Sequence, residues 1–145
     1  MLQRLALGLL SFVWLSVATA QAQTEATVSD ADRTSIRGVI ESQLAAFQRD
    51  DGAEAFSYAA PGIQRKFGNP DIFMQMVRSG YAMVYRPQEV QILDLRINGN
   101  TIQQDVLFVG PDGKPVIAVY TMQQQEDGSW RIAGVYLRAV PQETT

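Results

Sequence analysis

Asp94, Arg96 and Asp105 are the residues of this sequence whose types and spacing could do acid–base chemistry. A two-residue Gly99-Asn100 turn pairs Ile97 with Ile102, Leu95 with Gln104 and Leu93 with Val106. That register makes more apolar cross-strand pairs than a turn placed one residue earlier. It sets Asp94 directly across from Asp105, with Arg96 two residues along on the same face. Two carboxylates in contact cannot both ionise cheaply. One pKa rises into the range of a general acid, and an arginine can hold a water between them. The same three groups also read as a solvated ion cluster in which Arg96 neutralises two acids. The register favours this second reading, because it puts the cluster opposite Leu93, Leu95 and Ile97, the face expected to meet helices.

A second set of residues could bind rather than react. Tyr58, Tyr81, Tyr85, Met74 and Met83 could rim a pocket between helices and sheet, since aromatics and methionine make adaptable apolar linings. Their alternative is ordinary core. Arg86, before Pro87, could offer a guanidinium to an anionic ligand; its alternative is a structural turn with the arginine paired to a nearby acid. Arg65-Lys66 reads as a solvated pair.

Absences narrow the chemistry further. The chain has no His and no Cys. Imidazole proton transfer, thiol nucleophiles, thiolate or imidazole metal sites and disulfides are thereby excluded. The acids do not follow a calcium-loop pattern, so neither a metal nor another cofactor is expected. Lys and Arg number 12 against 15 Asp and Glu, a net charge of −3, with no basic block. This balance argues against nucleic acid as a partner.

The first residues read as an export signal. Arg4 ends a short basic stretch, residues 5–17 are apolar, and Ala18-Thr19-Ala20-Gln21-Ala22 places small residues at alternate positions. The apolar run is about a dozen residues, short of the roughly 20 that a membrane-spanning helix needs. Cleavage is expected after Ala22, with Ala20 as second choice, and no stable membrane insertion afterwards. The location implied is the periplasm of a Gram-negative bacterium, or the medium. About 120 residues remain, the size of one ordinary domain. Its expected parts are a disordered start over 23–28, an α+β domain over 29–140 and a tail over 141–145.

The elements that must position these residues fall in a clear order. Ser29 followed by Asp32 resembles a capping box. Ile36, Val39, Ile40, Leu44 and Phe47 then make one helical stripe. Asp50-Asp51-Gly52 should stop it, with Gly52 in the left-handed conformation. A shorter helix is expected over 53–60 and one turn over 63–67, ended by Gly68. Asn69-Pro70-Asp71 starts another helix, with Ile72, Phe73, Met76 and Val77 on its apolar face and Gly80 at its end. Residues 81–87 read as a connection. From Glu89 on, strands are expected over 90–97, 102–109, 116–122 and 130–137, joined by short Gly-containing turns into an antiparallel meander. Trp130 should anchor the last of them.

Both faces of the late strands carry apolar residues. Ala118, Tyr120 and Met122 alternate with Ile117 and Val119; Ile132, Gly134 and Tyr136 alternate with Ala133, Val135 and Leu137. Helices cover one face, so a homodimer through the other face is expected.

Helices followed by a curved meander resemble the nuclear-transport-factor-2-like, or cystatin-like, superfold. The chain is identified more closely as a member of an uncharacterised family of secreted bacterial proteins, domain-of-unknown-function family 4864. The residues that carry this are Ile36-Arg37-Gly38-Val39-Ile40-Glu41-Ser42-Gln43 with Ala46-Phe47, and Ala55-Phe56 with Ala59. Phe73 with Met76-Val77 and Gly80-Tyr81, and Arg86-Pro87 with Glu89-Val90, continue the match. Gly128-Ser129-Trp130-Arg131-Ile132 with Gly134-Val135 closes it. The resemblance implies the fold and an envelope location, and no activity. The leading functional reading is a non-catalytic exported protein that binds a small apolar ligand or a protein partner, through Tyr58, Tyr81, Met83, Tyr85 and Arg86. The alternative is a small hydrolase or isomerase with Asp94 and Asp105 as its acid–base pair.

Overall fold

A computed structural model describes residues 27–142. The expected signal peptide and cleavage site lie outside the described residues, as do most of the polar segment expected after them and residues 143–145. Among the described residues five helices come first: α1 (Asp30–Gln48), α2 (Gly52–Ser57), α3 (Pro61–Phe67), α4 (Pro70–Gly80) and α5 (Ala82–Tyr85). Four strands follow: β1 (Glu89–Asn98), β2 (Thr101–Val109), β3 (Pro115–Gln124) and β4 (Trp130–Arg138). They form one antiparallel sheet in the order β1-β2-β3-β4, the α+β meander expected from the sequence. No helix among the described residues is long and apolar enough to cross a membrane.

The helix starts follow local chemistry. Ser29 Oγ accepts from the Asp32 N–H at 3.0 Å, and Asn69 Oδ1 accepts from the Ile72 N–H at 3.0 Å. Each side chain satisfies an amide that the first helical turn leaves free. The end of α1 differs from expectation. Asp50, not Gly52, takes the left-handed conformation, with φ 54°. Asp tolerates this region better than most residues. Here the Asp50 carboxylate also binds Arg86 at 3.1 Å. Gly52 opens α2 instead, where an added Cβ would stand 2.8 Å from Met74 Cγ. Its smallness lets α2 lie against α4. On α4 the buried residues are Phe73, Met74 and Val77, while Ile72 is 48% exposed. Ile72 precedes Met74 by two residues, roughly 200° around the helix, and so turns away from the core. The aromatic connection also coils into the short α5, ended at Arg86 before Pro87.

Two bulges decide which side chains share a face. The first hairpin pairs Ile97 with Ile102 and Leu95 with Gln104, as expected. Further from the turn, Ile92 rather than Leu93 pairs with Val106, because the register shifts between Ile92 and Leu95. The shift brings Ile92 and Leu95 against the same core. A second shift sets Met122 opposite Ile132 but Thr121 opposite Gly134, inserting Ala133. Trp130 and Ile132 before it, and Val135 and Leu137 after it, then all pack on the helix side. Much of the two-sided apolar character of β4 is this bulge, read as if the strand alternated without a break.

On β3 the second face is apolar in fact, and the chain covers it. Val119 is 0% exposed and Ile117 5%. Val119 lies in register between Asp105 and Tyr136, and Ile117 between Leu107 and Arg138. The outer apolar pair that suggested a partner is therefore buried within a single chain.

The main core lies between this sheet and the helices. Ile36, Ile40 and Phe47 of α1 meet Phe73 and Val77 of α4, and Val106, Phe108, Ala118 and Ile132 of the sheet. Phe56, Phe67 and Phe47 surround Phe73, with ring centroids at 5.3, 5.8 and 6.3 Å.

Candidate binding cavity

The loop before α3 creates a hollow in this core. The Ala60 N–H donates to the Ile132 carbonyl at 2.8 Å, and the Ile132 N–H donates to the Tyr58 carbonyl at 2.9 Å. These bonds pin the chain to the outer edge of β4. Pro61 then starts α3, and Gly68, at φ 80°, turns the chain back toward α4. Between α1, α3, α4 and the β3–β4 pair lies a cavity of about 440 Å³. Its walls are mainly apolar: Phe47, Ile63, Phe67, Phe73, Met76, Val77, Val84, Ile132 and Val135.

Four polar side chains also line it: Gln43, Lys66, Tyr81 and Tyr120. Gln43 Nε2 donates to the Ala55 carbonyl at 3.1 Å, tying α1 to α2. The Tyr81 hydroxyl donates to the Val135 carbonyl at 3.1 Å, which caps the edge of β4. Lys66 is exposed, with Nζ 5.5 Å from the Phe67 ring centre. The Tyr120 hydroxyl is fully buried and has no hydrogen-bond partner. Burial pushes its pKa well above the ordinary tyrosine value, so the group stays protonated.

The residues singled out from the sequence fall in three places. Tyr81 lines the cavity. Tyr58 lies outside the lining and donates to Glu54 Oε1 at 3.0 Å; Met74 is buried beneath Gly52, and Met83 stands beside Gly110. Tyr85 and Arg86 belong to a surface cluster at the end of α1. Arg86 Nη1 donates to the Phe47 carbonyl at 2.7 Å, Nη2 donates to Asp50 at 3.1 Å, and the guanidinium stacks 3.9 Å from the Tyr85 ring centre. Arg86 thus satisfies a helix-end carbonyl and pairs with an acid. The Tyr85 hydroxyl also donates to Asp50. That bond, helped by Arg86 and Arg78, holds the Asp50 carboxyl below the usual range.

Asp94, Arg96 and Asp105 do not form an acid–base pair around a water. Asp94 sits in the β1 bulge with its side chain exposed, and its carbonyl accepts from Gln104 Nε2 at 3.2 Å. The Asp105 side chain is 6% exposed. Its Oδ1 accepts from Arg96 Nη2 at 2.6 Å, and its Oδ2 from Arg138 Nη2 at 2.7 Å. Burial alone would raise its pKa, but the two guanidiniums outweigh burial and hold it below the ordinary carboxylate value. A general acid needs the opposite shift. The arrangement is Arg–Asp–Arg on the outer sheet face, and neither acid lines the cavity. Among the described residues no three acids stand close enough to hold a metal.

Sequence reasoning missed Tyr120 and Arg138. One signal was available for Tyr120: a tyrosine among Val116, Ala118 and Met122 on a core face has a hydroxyl that needs a partner. Arg138 offered none, because its place on the outer face depends on the Ala133 bulge.

Residues 29–145 match the family model of the domain of unknown function DUF4864. The chain belongs to this family. Among curated proteins, none matches. The DUF4864 chain is similar to an NTF-2 like protein of unknown function from Burkholderia xenovorans LB400. The identity is 15% and the TM-score 0.48, over 78% of this chain and 89% of that one.

Proposed function

We propose that this DUF4864 protein is a non-catalytic binding protein of the cell envelope that takes one small apolar ligand into the cavity between α3, α4 and β4. The observation that carries the reading is the cavity itself: about 440 Å³, walled by phenylalanine and aliphatic side chains, with no acid in its lining. Its size falls within the roughly 300–1,000 Å³ range of small-molecule sites, and such sites are mostly apolar with a few placed polar groups. No observation favours the hydrolase or isomerase alternative, since both oxygens of Asp105 are taken by arginines.

A hydrophobic fluorescent probe, N-phenyl-1-naphthylamine, tests the cavity. We expect saturable enhancement at one probe per chain, and its loss in Met76→Trp, which puts a bulkier ring among the half-buried lining residues. Non-saturating fluorescence, or a signal unchanged in that variant, would sink the binding reading.

Export is the second part of the proposal, supported by the basic, apolar and small-residue order of residues 1–22. N-terminal sequencing of protein from the envelope of an expressing Gram-negative host should begin at Gln23, or at Gln21 for the second site. A chain that keeps Met1 and stays in the cytoplasm would remove this part.

A further inference from the structure

The polar groups of the cavity differ in one respect. Gln43 and Tyr81 have given their donors to backbone carbonyls, and Lys66 faces solvent. The Tyr120 hydroxyl alone among the described buried side-chain polar atoms has no partner. A buried hydroxyl left unpaired costs stability, and phenylalanine would fill the same strand position without that cost. The buried polar side chain directly across from Tyr120 on β2, Gln104, has its amide donor committed to the Leu93, Asp94 and Asp105 carbonyls. Tyr120 is among the residues that line the cavity, so a ligand seated there packs against its side chain.

We propose that the ligand carries a neutral oxygen acceptor, such as a ketone carbonyl, on an apolar and largely aromatic body, and that Tyr120 donates its hydroxyl hydrogen to that oxygen. This rests on the binding reading above and names the class of ligand. An ionised carboxylate beside Tyr120 is disfavoured, because the one cation in the lining is the exposed Lys66. A buried charge without a counter-charge loses more hydration than one hydroxyl returns. A neutral carbonyl gives up less water and needs only one donor. The aromatic body follows from Phe47, Phe67 and Phe73, whose tilted and edge-on rings offer faces and edges for a further ring to pack against.

Benzophenone and diphenylmethane, which match in shape and differ by one carbonyl oxygen, test this. Each is titrated by calorimetry into the mature wild-type chain and into Tyr120→Phe. We expect wild type to bind the ketone about ten-fold more tightly than the hydrocarbon, the worth of one buried hydrogen bond. In Tyr120→Phe the preference should vanish or reverse, because the carbonyl then gives up its water without gaining a donor. The unliganded variant should unfold at the same denaturant concentration as wild type or higher, because it sheds an unpaired hydroxyl. Equal binding of both probes to wild type would leave the binding reading standing and overturn the donor role. A ketone preference that survives Tyr120→Phe would place the donor elsewhere and also overturn it. A lower midpoint for the unliganded variant would mean that water or protein already satisfies the hydroxyl, with the same consequence. Binding of neither probe would overturn this inference; if N-phenyl-1-naphthylamine also fails, the binding reading falls with it.

Discussion

Trp130→Ala is expected to destabilise the domain by about 3–5 kcal/mol, the range for deleting a large buried aromatic side chain. Trp130 is 7% exposed and belongs to the core. Its Nε1–H donates to Asp32 Oδ1 at 3.1 Å, joining the first turn of α1 to the first residue of β4. The substitution removes packing on the inner face and a donor from Asp32. That acid is held below its usual pKa first by Ser29 and then by Trp130. Trp130→Phe separates the two losses. It keeps most of the ring volume and gives up the N–H, so it should cost about 1 kcal/mol. Guanidinium unfolding followed by circular dichroism measures both variants. A midpoint for Trp130→Ala indistinguishable from wild type would mean that β4 is not anchored through this residue.

Asp105→Ala is expected to cost about 2–3 kcal/mol at neutral pH. The change removes two charge-assisted hydrogen bonds and leaves Arg96 and Arg138 without the acid they share. The loss stays below that of breaking a fully buried pair, because both guanidiniums are partly exposed and can take up water. The pH dependence has a definite sign. The folded pKa of Asp105 lies below its unfolded value, so its stabilisation is fully present above the unfolded carboxylate pKa. It is lost as pH falls through the folded value. The gap between wild type and Asp105→Ala should therefore be widest near neutrality and narrow in strong acid. Asp50 is shifted in the same direction, so the variant itself remains acid-sensitive. Denaturant midpoints at pH 7 and in strong acid decide the matter. A gap that stays constant between them would show that Asp105 acts through shape and not through charge.

Features that depend on a few neighbouring residues were legible in the sequence. Ser29 caps the helix that follows it, and Asn69-Pro70 starts α4, because a side chain two or three residues away supplies the missing bond. Gly99 and Gly128 mark hairpin turns, because those positions need positive φ. From such signals the order of helices then strands, the meander and the first hairpin's register next to its turn all follow. They do not reach the bulges. An inserted residue shifts the alternation without changing composition, so Leu93 and Ala133 could be placed only once the paired strands and the helices against them were known. The Ala133 bulge fixes the parity that carries Arg138 to Asp105, 33 residues away, and turns an expected carboxylate pair into an Arg–Asp–Arg cluster. The cavity was equally beyond local reading. It is the volume left where α3, pinned to Ile132, spans α4 and β4, and a void is a property of how elements meet. The residue type of Tyr120 is written in the chain; the absence of a partner for its hydroxyl was decided by tertiary packing alone.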